Sequence, residues 1–79
     1  MDSIDRHSRK RSQLSGRYTD NGITVIVEIF RPSDSAAWRM EVTSLGEQAT
    51  DWNEAFASDQ EAWDEFIYVV NTEGITVFL

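Results

Sequence analysis

Between residues 23 and 31 apolar side chains occupy both alternations of the chain. Ile23, Val25, Val27 and Ile29 fall on one, and Ile26 and Phe30 accompany Thr24 and Glu28 on the other. A strand that is apolar on both faces belongs in the middle of a sheet. Asp20-Asn21-Gly22 precedes it, and Asn and Gly tolerate the positive φ of a tight hairpin turn, so Leu14-Ser15-Gly16-Arg17-Tyr18 is expected to pair with it. Pro32-Ser33-Asp34-Ser35 breaks the strand. From Trp38 to Leu45 the chain then alternates, with Trp38, Met40 and Val42 inward and Arg39, Glu41 and Thr43 outward, as a half-exposed strand does. After a turn at Leu45-Gly46-Glu47, Ala49 to Phe56 reads as a further strand with Trp52 and Phe56 on one face. Glu54 falls on that aromatic face, which predicts a bulge or an edge position.

The period changes at Ser58-Asp59-Gln60-Glu61. A serine followed three residues later by glutamate is a capping box, and it predicts a helix from about Asp59 to Thr72. Trp63, Phe66, Ile67 and Val70 recur at steps of three and four as its buried stripe, with Ala62 and Val69 beside them. Gly74 supplies a left-handed stop, and Ile75 to Leu79 reads as a last short strand. Gly-Ile-Thr-Val occurs at 22–25 and again at 74–77, which suggests two similar strand entries. The expected fold is α+β: a small antiparallel sheet of three to four strands with one helix packed on one face, in the order ββ(β)αβ. If the last strand returns beside the first, the crossover is right-handed. Trp38, Trp52 and Trp63 are expected in the core or at its margin, since each large side chain buried contributes roughly 1.5–3 kcal/mol.

Length and composition narrow the classes. A chain of 79 residues supports one domain and no deep cleft. Without cysteine it has no disulfide, no thiolate nucleophile and no cysteine zinc site. Its longest apolar run is far below the roughly 20 residues of a membrane helix, and its start lacks the apolar core of a signal peptide, so a cytoplasmic protein is expected.

The net charge of −7 conceals a division. Arg6, Arg9, Lys10, Arg11 and Arg17 outnumber Asp2 and Asp5 before Tyr18, whereas Arg31 and Arg39 are the only cations among twelve carboxylates after it. Residues 1–13 contain a single isoleucine and one leading methionine, too little apolar surface to offset ordering, and are expected to be a disordered basic tail ahead of a compact acidic domain over 14–79. Arg6, Arg9, Lys10 and Arg11 could bind nucleic-acid phosphates, which gives the alternative function of a small nucleic-acid-associated regulator. The acidic body opposes that, so direct nucleic-acid binding is not the first expectation.

Catalytic inventory is thin. His7, the only histidine, lies in the basic tail and leaves no rigid base for Ser33, Ser35, Ser44 or Ser58. Glu61 with Glu65, or Asp51 with Asn53, are the first carboxylate pairs to consider for acid–base work, but both face solvent in this reading. A non-enzymatic protein without cofactor or metal is expected. The informative feature is the helix, where Asp59, Glu61, Asp64 and Glu65 fall within about 9 Å of axis, a density comparable to that of DNA phosphates at one per roughly 1.7 Å. Asp51 and Glu54 extend this patch, and Tyr68 or Trp52 can anchor it. The ordinary account, helix-dipole stabilisation and solubility, competes with this for the helix alone. A housekeeping interaction module is a third alternative.

In size, acidity, a small sheet with one helix and exposed Asp59, Glu61, Asp64 and Glu65, residues 18–79 resemble the small acidic inhibitors of phages and mobile elements, anti-CRISPR proteins above all. The resemblance is one of general character and transfers no residue roles. It implies inhibition of a nucleic-acid-binding partner, such as a CRISPR surveillance complex, by occupation of its basic groove. A monomer or weak dimer is expected.

Overall fold

The computed structural model describes residues 9–52 and 54–79. The chain forms β1 (Arg9–Arg11), β2 (Gly16–Asp20), β3 (Ile23–Pro32), β4 (Arg39–Ser44) and β5 (Ala49–Asp51), then α1 (Asp59–Glu73) and a 3-10 turn over Ile75–Phe78. All five strands join one antiparallel sheet. The long β3 is central: β4 runs along one edge with β5 outside it, and β1 and β2 share the other edge in succession. The fold is therefore α+β, a single helix after and upon an antiparallel sheet. The sheet gains one strand that the sequence did not predict, the three-residue β1, while β5 is a shortened form of the strand expected from Ala49.

Asn21 and Gly22 have φ of 56° and 78°, and their turn sets Asp20 opposite Ile23. Upstream, the strand is interrupted at Ser12–Ser15 without the ladder being lost. Ser12 N–H donates to the Ile29 carbonyl at 2.8 Å, and the Ser15 hydroxyl both accepts from Ile29 N–H at 2.9 Å and donates to its carbonyl at 3.1 Å. Beyond the interruption Arg9–Arg11 pair with Phe30–Pro32. This corrects the expectation of a disordered tail for residues 9–13. Ordering there comes from backbone pairing with an otherwise open edge of β3, to which apolar content is irrelevant. Residues 1–8, with Arg6 and His7, lie outside the described residues.

Alternation divides the sheet. Val25, Val27, Ile29, Met40 and Val42 are buried beneath α1, which contributes Ala62, Phe66 and Val70. A chain of aromatic contacts crosses this layer from β2 to β5. Tyr18 meets Phe66 edge-on at 5.0 Å and Trp63 at 5.8 Å; Phe66 stacks on Phe78 at 5.5 Å, and Phe78 meets Trp52 at 5.9 Å. Trp38, Trp52 and Trp63 are half-buried against the core, as their expected place at its margin requires.

Two elements differ from the expected order. Ile75–Phe78 is a 3-10 turn and not a strand, because both edges of β3 are already filled and because Ile75 and Phe78, three residues apart, are both buried by one turn of that helix. The segment after Gly46 is shorter than expected as a strand. Continuing the Glu41–Asp51 register would bring Glu54 opposite Trp38, yet Phe56 stands there, exchanging both backbone hydrogen bonds with Trp38 at 2.8 Å. The two additional residues form the bulge that Glu54 implied, and they leave Glu54 exposed while Phe56 turns inward.

Candidate functional site

Ser58 ends the segment in extended backbone, at φ −146° and ψ 161°, and its hydroxyl accepts Glu61 N–H at 3.1 Å. Glu61 returns the interaction, its Oε1 accepting Ala57 N–H at 3.2 Å. The capping box is thus formed, with the glutamate reaching one residue beyond the cap. From this start the 100° step of a helix fixes where each carboxylate points.

Glu61, Asp64 and Tyr68 fall opposite the buried stripe of Ala62, Phe66 and Val70, and all three are exposed, Tyr68 at 62%. Asp64 accepts Gln60 Nε2–H at 2.9 Å. Glu65 sits on the flank, half-buried, and receives a long 3.5 Å hydrogen bond from Trp52 Nε1. Asp59 departs from the group. It is half-buried and accepts the Ser12 hydroxyl at 2.7 Å, tying the helix start to the β1–β2 connection. Asp51 is separated further, since its pairing with Glu41 puts it on the sheet face away from α1. Glu54 is exposed in the bulge between β5 and the helix. The structure therefore brings Glu61, Asp64, Glu65 and Tyr68 together and leaves Asp59 and Asp51 outside that surface.

Each of the four carboxylates Asp59, Glu61, Asp64 and Glu65 accepts from a neutral donor: a serine hydroxyl, a backbone amide, a glutamine amide or an indole. Among the described residues none of the four makes an ion pair. Their orientation is set without loss of charge, and α1 itself contains no lysine or arginine to offset it.

The opposite face of the sheet escaped the sequence reading, because its pattern depends on strand register. Arg11, Phe30 and Arg39 form one cross-strand row, Glu28, Glu41 and Asp51 the next, and Arg17, Ile26, Thr43 and Ala49 a third. Arg11 spans the first two rows. Its Nε and Nη2 donate to the Glu28 carboxylate at 3.1 and 2.9 Å, and these hydrogen bonds, then the carboxylate's charge, raise the guanidinium pKa above its ordinary value. The outward alternation of Arg39, Glu41 and Thr43 was legible; which residues of β1, β3 and β5 stood beside them was not.

The basic residues assigned to the tail are likewise redistributed. Arg9, Lys10 and Arg11 lie in β1, Lys10 exposed and Arg11 engaged by Glu28. Among the described residues no group of three or more His, Asp or Glu side chains is placed to hold a metal ion. No described helix is long and apolar enough to cross a membrane. No family model matches the chain, and comparisons with curated proteins and with solved structures find no match.

Proposed function

We propose that the protein is a non-enzymatic binding protein whose α1 outer face docks on a cationic surface of another macromolecule. The observation that supports this is the set of neutral donors on Glu61, Asp64 and Glu65: carboxylates on one helix surface that accept hydrogen bonds and, among the described residues, make no ion pair, beside an exposed tyrosine. Preordered charges lose little freedom on binding, and they steer encounter with an oppositely charged partner. Tyr68 adds an apolar contact that charge alone does not supply.

The partner we propose is a protein with a basic nucleic-acid groove, and a CRISPR surveillance complex is the specific case implied by the resemblance to anti-CRISPR inhibitors. Occupation of the groove excludes the nucleic acid sterically and electrostatically. The test is a gel-shift titration of a guide-loaded surveillance complex on its target duplex, with the protein as competitor. The native chain is expected to displace the duplex, less effectively as salt rises. Asp64→Lys with Glu65→Lys is expected to abolish displacement without unfolding the protein. Failure of the native chain removes that partner; equal displacement by the double variant removes the helix face from the mechanism.

A further inference from the structure

We propose that the outer edge of β2 is a self-association surface, on which the β2 strand of a second copy pairs antiparallel and joins two sheets into one. β3 has β4 on one side and β1 and β2 on the other, whereas β2 pairs with β3 alone. The two-residue turn at Asn21-Gly22 closes on the pair Asp20–Ile23, so Asp20, Tyr18 and Gly16 direct their backbone groups at β3. The N–H and carbonyl groups of Arg17 and Thr19 point the other way, where no described strand lies. Such a row is a template for a further strand.

Apolar side chains border this row on the helix side of the sheet. Tyr18, Trp63 and Ile67 are all half-buried, and the Tyr18 and Trp63 rings meet at 5.8 Å. Gln60 and Asn71 continue the Trp63–Ile67 flank of α1 at steps of three and four without a charge. Glu65 is on the other flank, turned to Trp52. The far edge of the sheet differs. β5 is three residues long and Glu47, Asp51 and Glu54 crowd it, so two copies meeting there would repel each other.

The occupant follows from the sequence of β2, Gly16-Arg17-Tyr18-Thr19-Asp20. A two-fold axis at the level of Tyr18 sets Arg17 opposite the partner's Thr19 and Thr19 opposite the partner's Arg17, each pair exchanging two backbone hydrogen bonds. Gly16 then faces the partner's Asp20. No like charges stand directly opposite. Because Arg17 and Asp20 lie towards opposite ends of β2, antiparallel pairing lays the basic end of each copy beside the acidic end of the other. Tyr18 meets the partner's Tyr18 in the closer, non-hydrogen-bonded kind of pair, about 4.5 Å between Cα atoms, on the side that Trp63 borders. Five residues per copy bury far less than the roughly 800 Å² per partner of a standard interface, so the dimer is weak and reversible. The outer face of α1, with Glu61, Asp64 and Tyr68, takes no part, so the inference does not depend on the proposed function.

The test is sedimentation of the full chain from micromolar to millimolar concentration, joined to amide exchange by NMR, with circular dichroism as the control for folding. The native chain is expected to dimerise, and the Arg17 and Thr19 N–H groups to gain protection as concentration rises. Thr19→Pro removes an outward N–H and no bond to β3, so it is expected to fold and to stay monomeric. Thr19→Glu, Thr19→Lys and the neutral reference Thr19→Gln all give up the Thr19–Thr24 hydroxyl contact at 2.8 Å. The new charge faces the partner's Arg17 twice by symmetry. Relative to Thr19→Gln, dimerisation is expected to strengthen about threefold or more in Thr19→Glu and to weaken as much in Thr19→Lys. A native chain that stays monomeric throughout overturns the proposal, as does a folded Thr19→Pro that dimerises normally or equal dimerisation by Thr19→Glu and Thr19→Lys. If Thr19→Pro fails to fold, the comparison of Thr19→Glu with Thr19→Lys decides alone.

Discussion

The hydroxyl of Ser15 serves as the hydrogen-bonding partner of Ile29 where β1 and β2 leave a gap, accepting its N–H at 2.9 Å and donating to its carbonyl at 3.1 Å. Ile29 is fully buried, and its carbonyl has a second donor in Ser12 N–H, but Ser15 is the acceptor in place for the amide. Ser15→Ala is expected to destabilise the fold by about 1–3 kcal/mol, the cost of a buried donor left unsatisfied. Amide exchange measures it directly: the Ile29 N–H should lose protection out of proportion to the global change in stability.

The same interruption marks where the sequence stops being informative. β3 announces itself by apolar residues on both alternations after Asn21-Gly22, and α1 by Ser58 and Glu61 and the Trp63–Phe66–Val70 spacing; all are local signals. A strand at Arg9–Arg11 has no such signal, because it is stabilised by pairing with Phe30–Pro32, far along the chain. Gly-Ile-Thr-Val makes the point within one molecule: residues 22–25 enter β3 while residues 74–77 enter a 3-10 turn. Position against a vacant or filled strand edge decides between them. The helix surface was legible as far as Glu61, Asp64, Glu65 and Tyr68, which share a face by helical periodicity. Asp51 was misplaced for want of the β4–β5 register, and Asp59 because its bond to Ser12 is tertiary.

Gly74 controls that second environment. At φ 88° and ψ 150° it occupies backbone space open in practice to glycine alone, while its N–H donates to the Val70 carbonyl at 3.0 Å. A Cβ there would lie 3.8 Å from Thr76 Oγ1, so space is not the obstacle. Gly74→Ala is expected to cost about 1–3 kcal/mol through backbone strain alone. Gly46, without positive φ and with 3.7 Å to Ser44 Oγ, is the control. Gly46→Ala should stay within about 0.5 kcal/mol of the native chain in chemical denaturation.

Phe66 is the point at which the aromatic contacts meet: Tyr18 and Trp63 on one side, Phe78 on the other, with no exposed surface of its own. Phe66→Ala removes the contacts that connect β2 to the 3-10 turn and leaves a cavity between sheet and helix. The expected loss is about 3–5 kcal/mol. A domain of this length has few kcal/mol to spare, so the variant should be largely unfolded at 37 °C by circular dichroism. Phe66→Leu, which retains most of the volume, should remain folded with a lowered melting temperature.

Capping and binding are separable on α1, and stability measurements separate them. Glu61 accepts Ala57 N–H ahead of the helix, whereas Asp64 accepts only an exposed glutamine amide one turn into it. Glu61→Lys discards the capping bond and adds a cation near the positive end of the helix dipole, so a loss of about 1 kcal/mol is expected. For a domain of this size that corresponds to roughly 4–8 °C in Tm. Asp64→Lys exchanges one weak surface interaction for another and should move Tm by far less. If the two substitutions lower Tm equally, the bond from Ala57 N–H to the Glu61 carboxylate does not stabilise the helix start. If they differ as expected, a binding defect in Asp64→Lys reports lost contact with a partner, while one in Glu61→Lys must first be corrected for the fraction unfolded.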